Sequence, residues 1–372
     1  MKKYLVIVSA LAMTATTASA GGIERRGDPS VILFEKSRNY VEFSVAHVDP
    51  SVSGEPLAGI PTGPTGNIQR SYRSFAGGFK TDVTDRLTLG LVIDEPVGVK
   101  VDYRTPPASL GGAFFGTSNA EISSIAITAL AKYQTTDRFS VYGGLRYMGL
   151  DGNVLILSPA TTGDPLGGPG PYSLDVDKDY QLGYLLGAAY EIPDIALRVA
   201  LTYESETEHD FKDNTGAPFK VEIPRAVTLR AQTGIAANTL LFGSIRWREW
   251  TKFKIQPGDF FELVPGFGAV NVPIASEPKD IWTYELGIGR KFSENWSGAF
   301  ILGYEKDQDE QVGNLSGKDG YISYGLAATY ETDKIRITTG IRYFDLGDAD
   351  STVTAFSDNS ALAVATMVGF KF

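Results

Sequence analysis

The chain of 372 residues contains no cysteine and only two histidines, His47 and His209. Without cysteine there is no disulfide framework, no thiolate metal site and no cysteine nucleophile, and two histidines leave little room for a multi-histidine metal centre. No run of about eighteen apolar residues occurs, which argues against membrane-spanning helices. Basic residues are outnumbered, 34 against 44 acidic ones, and they form no cluster that would attract nucleic acid. We therefore expect no metal, no cofactor and no nucleic-acid partner.

The start of the chain has the pattern of a signal peptide. Two lysines at positions 2 and 3 precede an apolar run that ends at Met13, and Ala18-Ser19-Ala20 fits the small-residue cleavage pattern. We predict that residues 1–20 are removed after export. An exported chain without cysteine is more typical of the Gram-negative envelope than of disulfide-stabilised secreted domains.

From Asn39 to Phe372 apolar residues recur at every second position, which indicates β-strands. Six short connections alternate with seven long loops, a pattern that is typical of outer-membrane barrels. The predicted fold class is all-β, a 14-stranded antiparallel transmembrane β-barrel over residues 39–372 that follows a short luminal plug. The predicted strands lie at 39–49, 68–80, 86–103, 120–133, 138–152, 178–190, 195–206, 223–234, 239–252, 280–291, 296–306, 319–331, 334–347 and 360–372.

The alternation also separates two faces of the strands. In 195–204 the large apolar residues share one face, whereas Arg198 and Glu204 lie on the other. Apolar residues outside and polar residues inside suit a barrel in lipid, and a soluble all-β protein would need the reverse. The last strand, Ala363–Phe372, ends on an aromatic residue like the signal that the barrel assembly machinery reads. Aromatic residues near strand ends are predicted to form interface girdles: Tyr203, Trp247, Trp250, Trp282, Trp296, Tyr304 and Tyr343.

Several stretches resemble the FadL-like outer-membrane transporters of long-chain fatty acids and other hydrophobic compounds. The clearest are LTLGLVIDEPVGVKVDY at 87–103, ALTYESETEHDFKDN at 200–214, IPRAVTLRAQTGIAANTLLFGSIRWREWTKFK at 223–254, PKDIWTYELGIGRKFSENWSGAFILGYEKD at 278–307 and GYISYGLAATYETDKIRITTGIRYFDLG at 320–347. The resemblance implies a monomer that transports a hydrophobic small molecule passively, with long-chain fatty acids as the first choice and alkanes or aromatic compounds as the others. It implies no enzyme. Outer-membrane lipid, lipopolysaccharide and the barrel assembly machinery are the other expected partners.

The third predicted strand is interrupted by Asp94-Glu95-Pro96-Val97-Gly98. Proline cannot donate to a ladder, and glycine tolerates unusual backbone angles. A kink would turn the two carboxylates inward, away from lipid in which they are costly. In the family such a kink opens the barrel wall, so the resemblance implies a lateral exit shaped by Asp94, Glu95, Pro96 and Gly98. A plain bulge without an opening is the alternative.

Residues 21–38, GGIERRGDPSVILFEKSR, lack strand alternation but contain the apolar run Val31–Phe34. Such a run favours burial over a disordered periplasmic tail, which is the alternative. The segment is shorter than the family's plug and lacks its Asn-Pro-Ala motif. The resemblance implies that its first residues reach the ligand pocket and that its arginines pair with luminal carboxylates. The residues concerned are Gly21, Gly22, Ile23, Arg25 and Arg26.

Two further sets of residues are candidates for binding substrate. Inward-facing arginines can hold an anionic head group through bidentate hydrogen bonds, or they can form a luminal salt-bridge network instead. They are Arg146, Arg230, Arg246 and Arg342. Apolar outer loops can capture substrate at the barrel mouth, or they can pack against each other and close it. Their candidate residues are Phe114, Phe115, Phe260, Phe261 and Phe267.

Two other functions fit parts of the pattern. A general diffusion porin would have the same barrel but an open lumen. A structural or enzymatic barrel is the weaker alternative, because neither His47 nor His209 lies in a recognisable nucleophile context.

Overall fold

The computed structural model describes residues 22–57, 63–104, 118–157, 161–162, 170–264, 266–313 and 315–372. The predicted signal peptide, Gly21, Phe114 and Phe115 lie outside these residues. Fourteen antiparallel strands form one closed barrel, because the first strand pairs with both the second and the last. The predicted strand number and fold class are therefore confirmed.

The barrel strands follow each other in chain order around the sheet. They are β1 (Asn39–Ser51), β2 (Tyr72–Asp82), β3 in two parts (Leu87–Asp94 and Gly98–Asp102), β4 (Asn119–Gln134), β5 (Phe139–Ile156), β6 (Tyr172–Ile192), β7 (Leu197–Glu204), β8 (Ala226–Ala236), β9 (Thr239–Arg248), β10 (Ile281–Lys291), β11 (Trp296–Glu305), β12 (Tyr321–Glu331), β13 (Ile335–Leu346) and β14 (Ser360–Lys371).

The two faces of the strands differ as the alternation predicts. Leu201 and Leu326 are 51% and 61% exposed, whereas Thr202 and Ser323 on the opposite faces are 1% and 0% exposed. Large apolar side chains thus point outward and polar ones inward, which suits lipid outside and a polar lumen. One girdle prediction is wrong. Trp250 is 1% exposed because it belongs to a short helix that turns into the barrel.

Three of the short turns share one sequence pattern and one geometry. Thr84, Thr136 and Thr332 are each followed by aspartate and then by a basic residue. In each turn the threonine hydroxyl oxygen accepts hydrogen bonds of 3.0–3.3 Å from the amides two and three residues later. Local side-chain bonds of this kind compete with regular structure and fix a tight turn.

The long loops carry secondary structure that the alternation did not reveal. Short strands lie at Gly54–Pro56, Thr161–Thr162, Thr207–Lys212, Pro218–Ile223, Lys254–Ile255, Phe261–Val264, Gly268–Asn271, Ala275–Ser276, Ala349–Asp350 and Thr354–Phe356. Within the described ranges, 3₁₀ helices lie at Pro29–Phe34, Pro193–Ile195 and Trp250–Lys252. Among the described residues, no helix is both long and apolar enough to cross a membrane.

Candidate functional site

The barrel wall is interrupted between β2 and β3. The ladder between these strands ends at the pair Gly77–Ile93 and resumes only at the bridge between Gln69 and Val101. Between these points residues 71–76 form no backbone ladder with β3. On its other side β2 still pairs with β1, and the second part of β3 still pairs with β4. We call this interruption the window. It lies in the half of the wall nearer the long loops, because β2 enters from a long loop and ends at a short turn.

The N-terminal segment, residues 22–38, pairs with the kinked edge of the window. The amides of Arg25 and Arg26 donate to the carbonyl of Pro96 at 2.8 and 3.2 Å, and the amide of Gly98 donates to the carbonyl of Ile23 at 2.8 Å. Backbone groups that β2 leaves unpaired therefore find partners in this segment, as unpaired groups within a membrane require.

Two arginine side chains fill the inner side of the window. The Arg25 Nε donates to the Gly98 carbonyl at 3.0 Å, and its guanidinium lies 4.2 Å from the ring centre of Tyr72. The Arg26 Nε donates to the Ser74 hydroxyl at 3.2 Å. A Cβ atom at Gly98 would lie 2.5 Å from the Arg25 guanidinium, so this contact depends on glycine.

Ion pairs connect the segment to the far wall of the barrel. The Glu24 carboxylate lies 2.7 Å from the Arg246 Nη2 and 3.0 Å from the Arg248 Nη2. Glu204 bridges Arg246 at 2.6 Å and Arg146 at 2.8 Å. These five side chains are at most 11% exposed, so two buried carboxylates are shared by three buried guanidinium groups.

The second part of the segment is held by packing as well as by charge. Asp28 caps the 3₁₀ helix by accepting from the Ser30 amide at 2.8 Å. Leu33 is fully buried, and the Phe34 ring lies between the Lys132 ammonium and the Arg198 guanidinium, each 4.6 Å from its centre. Such cation–π contacts are strongest when they are shielded from water.

The contacts of the segment come from strands all round the barrel. Arg26 bonds Ser44 on β1 at 3.2 Å, Asp28 accepts from Thr202 on β7 at 2.7 Å, and Glu35 pairs with Arg336 on β13 at 2.7 Å. Only a chain inside the barrel can reach all of these strands. The segment therefore lies in the lumen.

An apolar cavity lies above the segment, near the long loops. It has about 1100 Å³ of unfilled space, part of it open to solvent. Its walls come from β3 to β6 and from four loops, and the main apolar residues are Val99, Leu150, Leu174, Phe211, Phe253 and Ile274. Gly22 and Ile23 line it from the segment's side, and their role at a ligand pocket stays a prediction.

Polar groups also line this cavity. The Glu277 Oε1 accepts a 3.0 Å hydrogen bond from the Gly22 amide. Burial raises the pKa of Glu277 to about 7, and burial lowers the pKa of Lys318 to about 8 although Glu305 and Glu277 oppose that shift. A Cβ atom at Gly22, where φ is +69°, would lie 2.4 Å from the Trp250 ring. The first described residue is thus held at the cavity wall where a larger side chain would collide with Trp250.

A smaller space continues from the cavity to the window. It shares Gly22, Ile23 and Lys318 with the cavity and reaches both window edges, at Tyr72 and Gly98. We call it the passage. Its unfilled volume is about 450 Å³.

The arginines predicted as head-group candidates are all inward, and each lies near a carboxylate. Arg146 and Arg246 share Glu204, and the Arg342 Nη1 lies 2.7 Å from Glu285. The Arg230 Nε lies 3.7 Å from Asp28. Their head-group role stays a prediction, and the contacts are those of the salt-bridge alternative.

The candidates in the second apolar loop separate into two environments. Phe260 is 1% exposed and packs edge-to-face on Tyr172, with ring centres 4.9 Å apart. Phe261 is partly buried, and Phe267 is 83% exposed at the tip of a hairpin. Phe260 therefore contributes to packing, and Phe267 is the exposed apolar residue of this loop.

Lys318 and Glu277 were not predicted from the sequence. Both lie in long loops among ordinary solvated charges, and their positions there carry no periodic signal. One sequence signal lies close to Glu277, because this residue directly precedes the Pro-Lys-Asp stretch of the resemblance. Their burial follows from how the loops fold into the barrel mouth.

Fold and site together define an outer-membrane β-barrel that transports hydrophobic compounds. Residues 33–299 match the family described as "Outer membrane protein transport protein (OMPP1/FadL/TodX)", and the chain belongs to this family. No curated protein sequence matches the chain significantly.

Solved structures show the same fold at low sequence identity. A FadL homologue from Pseudomonas aeruginosa is 15% identical, with a TM-score of 0.74 and 93% of each chain covered. The toluene transporter TodX of Pseudomonas putida is 12% identical, with a TM-score of 0.68 and 96% of each chain covered. The toluene transporter TbuX of Ralstonia pickettii is 12% identical, with a TM-score of 0.61, and 93% of this chain and 92% of that chain are covered.

Proposed function

We propose that the protein carries long-chain fatty acids from the outer loops into its apolar cavity and releases them through the window into the outer leaflet. One observation carries the proposal: an apolar cavity that the Lys318 side chain lines shares residues with a passage that reaches both edges of the break in the wall. An apolar chain and an anionic head group match these two features. Because an outer membrane has no ATP, transport is passive.

The N-terminal segment serves as the plug of this route. Its first residues bind the kinked edge of the window, and its 3₁₀ helix anchors it near the short turns. Ion pairs and backbone bonds at the first part can exchange with water or substrate, whereas the buried apolar side chains hold the second part in place. Substrate in the cavity would displace the first part and so clear the passage.

We also propose how the protein reaches the outer membrane and where it first meets substrate. The chain is exported with a cleaved signal peptide, is inserted by the barrel assembly machinery and works as a monomer among outer-membrane lipid and lipopolysaccharide. Phe267 at its exposed hairpin tip is the first apolar contact for substrate.

Binding to the purified protein in detergent tests the substrate class. Palmitate is titrated against toluene and dodecane by displacement of a fluorescent fatty acid, and uptake is compared in cells with and without the protein. We expect saturable palmitate binding and protein-dependent palmitate uptake. Protein-dependent uptake of toluene alone would instead support a monoaromatic substrate, like the toluene that TodX of Pseudomonas putida transports.

A further inference from the structure

The edge of the passage carries cations that no part of the proposed route has yet used. We propose that Arg70 is a specificity-determining residue that receives the anionic head group of the substrate as it leaves Lys318, so that the window favours anionic amphiphiles over neutral molecules of equal length. This inference rests on the proposed function, and it adds a charge requirement at the exit.

Position supports this role. Arg70 lies just before β2, and its amide donates to the carbonyl of Lys100 at 3.1 Å, where the two window edges rejoin. Arg70 and Lys100 both line the passage, as does Lys318 at its inner side. A head group that moves from the cavity to the window therefore meets an ammonium first and a guanidinium at the rim.

Arg70 also has donor capacity to spare. Its Nη2 is buried and has no hydrogen-bond partner in the described part of the chain. Its Nε lies 3.5 Å from Asp102, but that carboxylate already accepts two bonds of 2.8 Å from the Arg104 guanidinium. Two guanidinium groups thus face one carboxylate, which leaves a positive charge and a free N–H at the rim.

The chemistry of the site selects carboxylates. A guanidinium binds a carboxylate through charge-assisted bonds, and these are stronger where water is partly excluded. The Arg70 side chain is 29% exposed, between full solvation and full burial. Lys100 contributes less to binding the head group, because its side chain is 40% exposed and its ammonium lies 3.0 Å from Glu121.

Paired substrates test the proposal in cells that express the full-length protein. Uptake of palmitate is compared with uptake of hexadecanol, which has the same chain length but no charge. For Arg70→Met we expect palmitate uptake to fall by about five- to tenfold, the loss of one partly exposed charge-assisted contact, and hexadecanol uptake to stay within about twofold. Arg70→Lys should restore most of the palmitate rate, because it keeps the charge.

Arg86→Met is the matched control, since Arg86 lies in the short turn between β2 and β3, at the end of these strands away from the window, and does not line the passage. It removes an equal charge and should leave both rates unchanged. Heat-modifiable mobility in gels confirms that each variant is folded, and Arg70→Gln, which also removes the charge, takes the place of Arg70→Met if the methionine variant does not fold.

Equal loss of both substrates would overturn the inference, because Arg70 would then only hold the strand edge. Unchanged palmitate uptake would overturn it as well. Failure of the proposed function looks different: the unmodified protein would import no palmitate at all, and the inference would fall with it.

Discussion

The seam between β2 and β3 and the seam between β12 and β13 belong to one barrel but are built differently. The second seam has eleven consecutive pairs, from Tyr321–Leu346 to Glu331–Arg336. The first loses its ladder where Pro96 cannot donate and where buried Asp94 turns inward.

The difference shows what an opening in a membrane wall requires. A strand that leaves its neighbour exposes N–H and C=O groups, and lipid offers them no partner. Here the missing partner is the N-terminal segment, which bonds Pro96 and Gly98 from inside. The window and the segment therefore form one unit, whereas the intact seam needs nothing from the lumen. The variants that follow alter either the window with its segment or a part of the barrel that does not depend on them.

Deleting residues 22–38 should have the largest effect. The deletion removes the chain that occupies the lumen, so we expect ion conductance in planar bilayers to rise by at least about tenfold above the nearly closed intact protein, as expected for an unplugged barrel. Single-channel recordings measure it, with folded barrels verified by heat-modifiable mobility. Large, steady channels from the intact protein would contradict the plug and favour the porin alternative.

The double substitution Pro96→Val with Gly98→Val should have the second largest effect. Valine restores a donor and β propensity, so the strand can pair across the window, and the Arg25 guanidinium moves aside for the new side chain at position 98. We expect palmitate uptake to fall by about tenfold while binding to the purified protein persists, because the cavity is unchanged.

Two controls frame this result. Thr329→Val with Thr338→Val adds two valines to the lumen side of the intact seam and should leave uptake unchanged. Asp94→Ser with Glu95→Ser removes only the carboxylates. If the straightened variant imports at the parental rate, the interruption is a bulge without a transport role.

The pH dependence of binding should show a smaller change. As pH rises through about 7 Glu277 becomes negative, and as pH rises through about 8 Lys318 loses its charge. Both changes disfavour a carboxylate, so palmitate affinity should decrease by a few-fold between about pH 6 and pH 9 while toluene binding stays level. Lys318→Met should flatten the upper part of the profile and Glu277→Gln the lower part. Identical profiles for palmitate and toluene would remove Lys318 from the head-group site.

Phe267→Ser should have the smallest effect. The side chain is 83% exposed, so its loss should raise the apparent KM for uptake by about twofold without lowering the amount of folded barrel. Phe260→Ala is the contrast, because this buried ring supports the loop and its removal should lower folded yield. An unchanged KM in the Phe267 variant would exclude capture at this tip.

The barrel could be predicted because its information is local and repeated. Alternation along β7 and β12 places Leu201 and Leu326 outside, and a strand with the wrong register would expose its polar face to lipid. The kink could be predicted for the same reason, since Pro96 and Gly98 act on their own strand. The luminal position of Trp250 could not be predicted, because an aromatic side chain fits an interface girdle and a luminal wall equally well.

The sequence by itself determined the strand number, the lipid-facing side and the place where the wall breaks, because period-two patterns and proline act through the backbone near them. Only the tertiary structure decided what fills the lumen and lines the cavity. Gly22 and Glu277 are 255 residues apart in the chain and 3.0 Å apart in space. Such a contact depends on barrel closure and on how long loops fold into its mouth, and no local pattern encodes it.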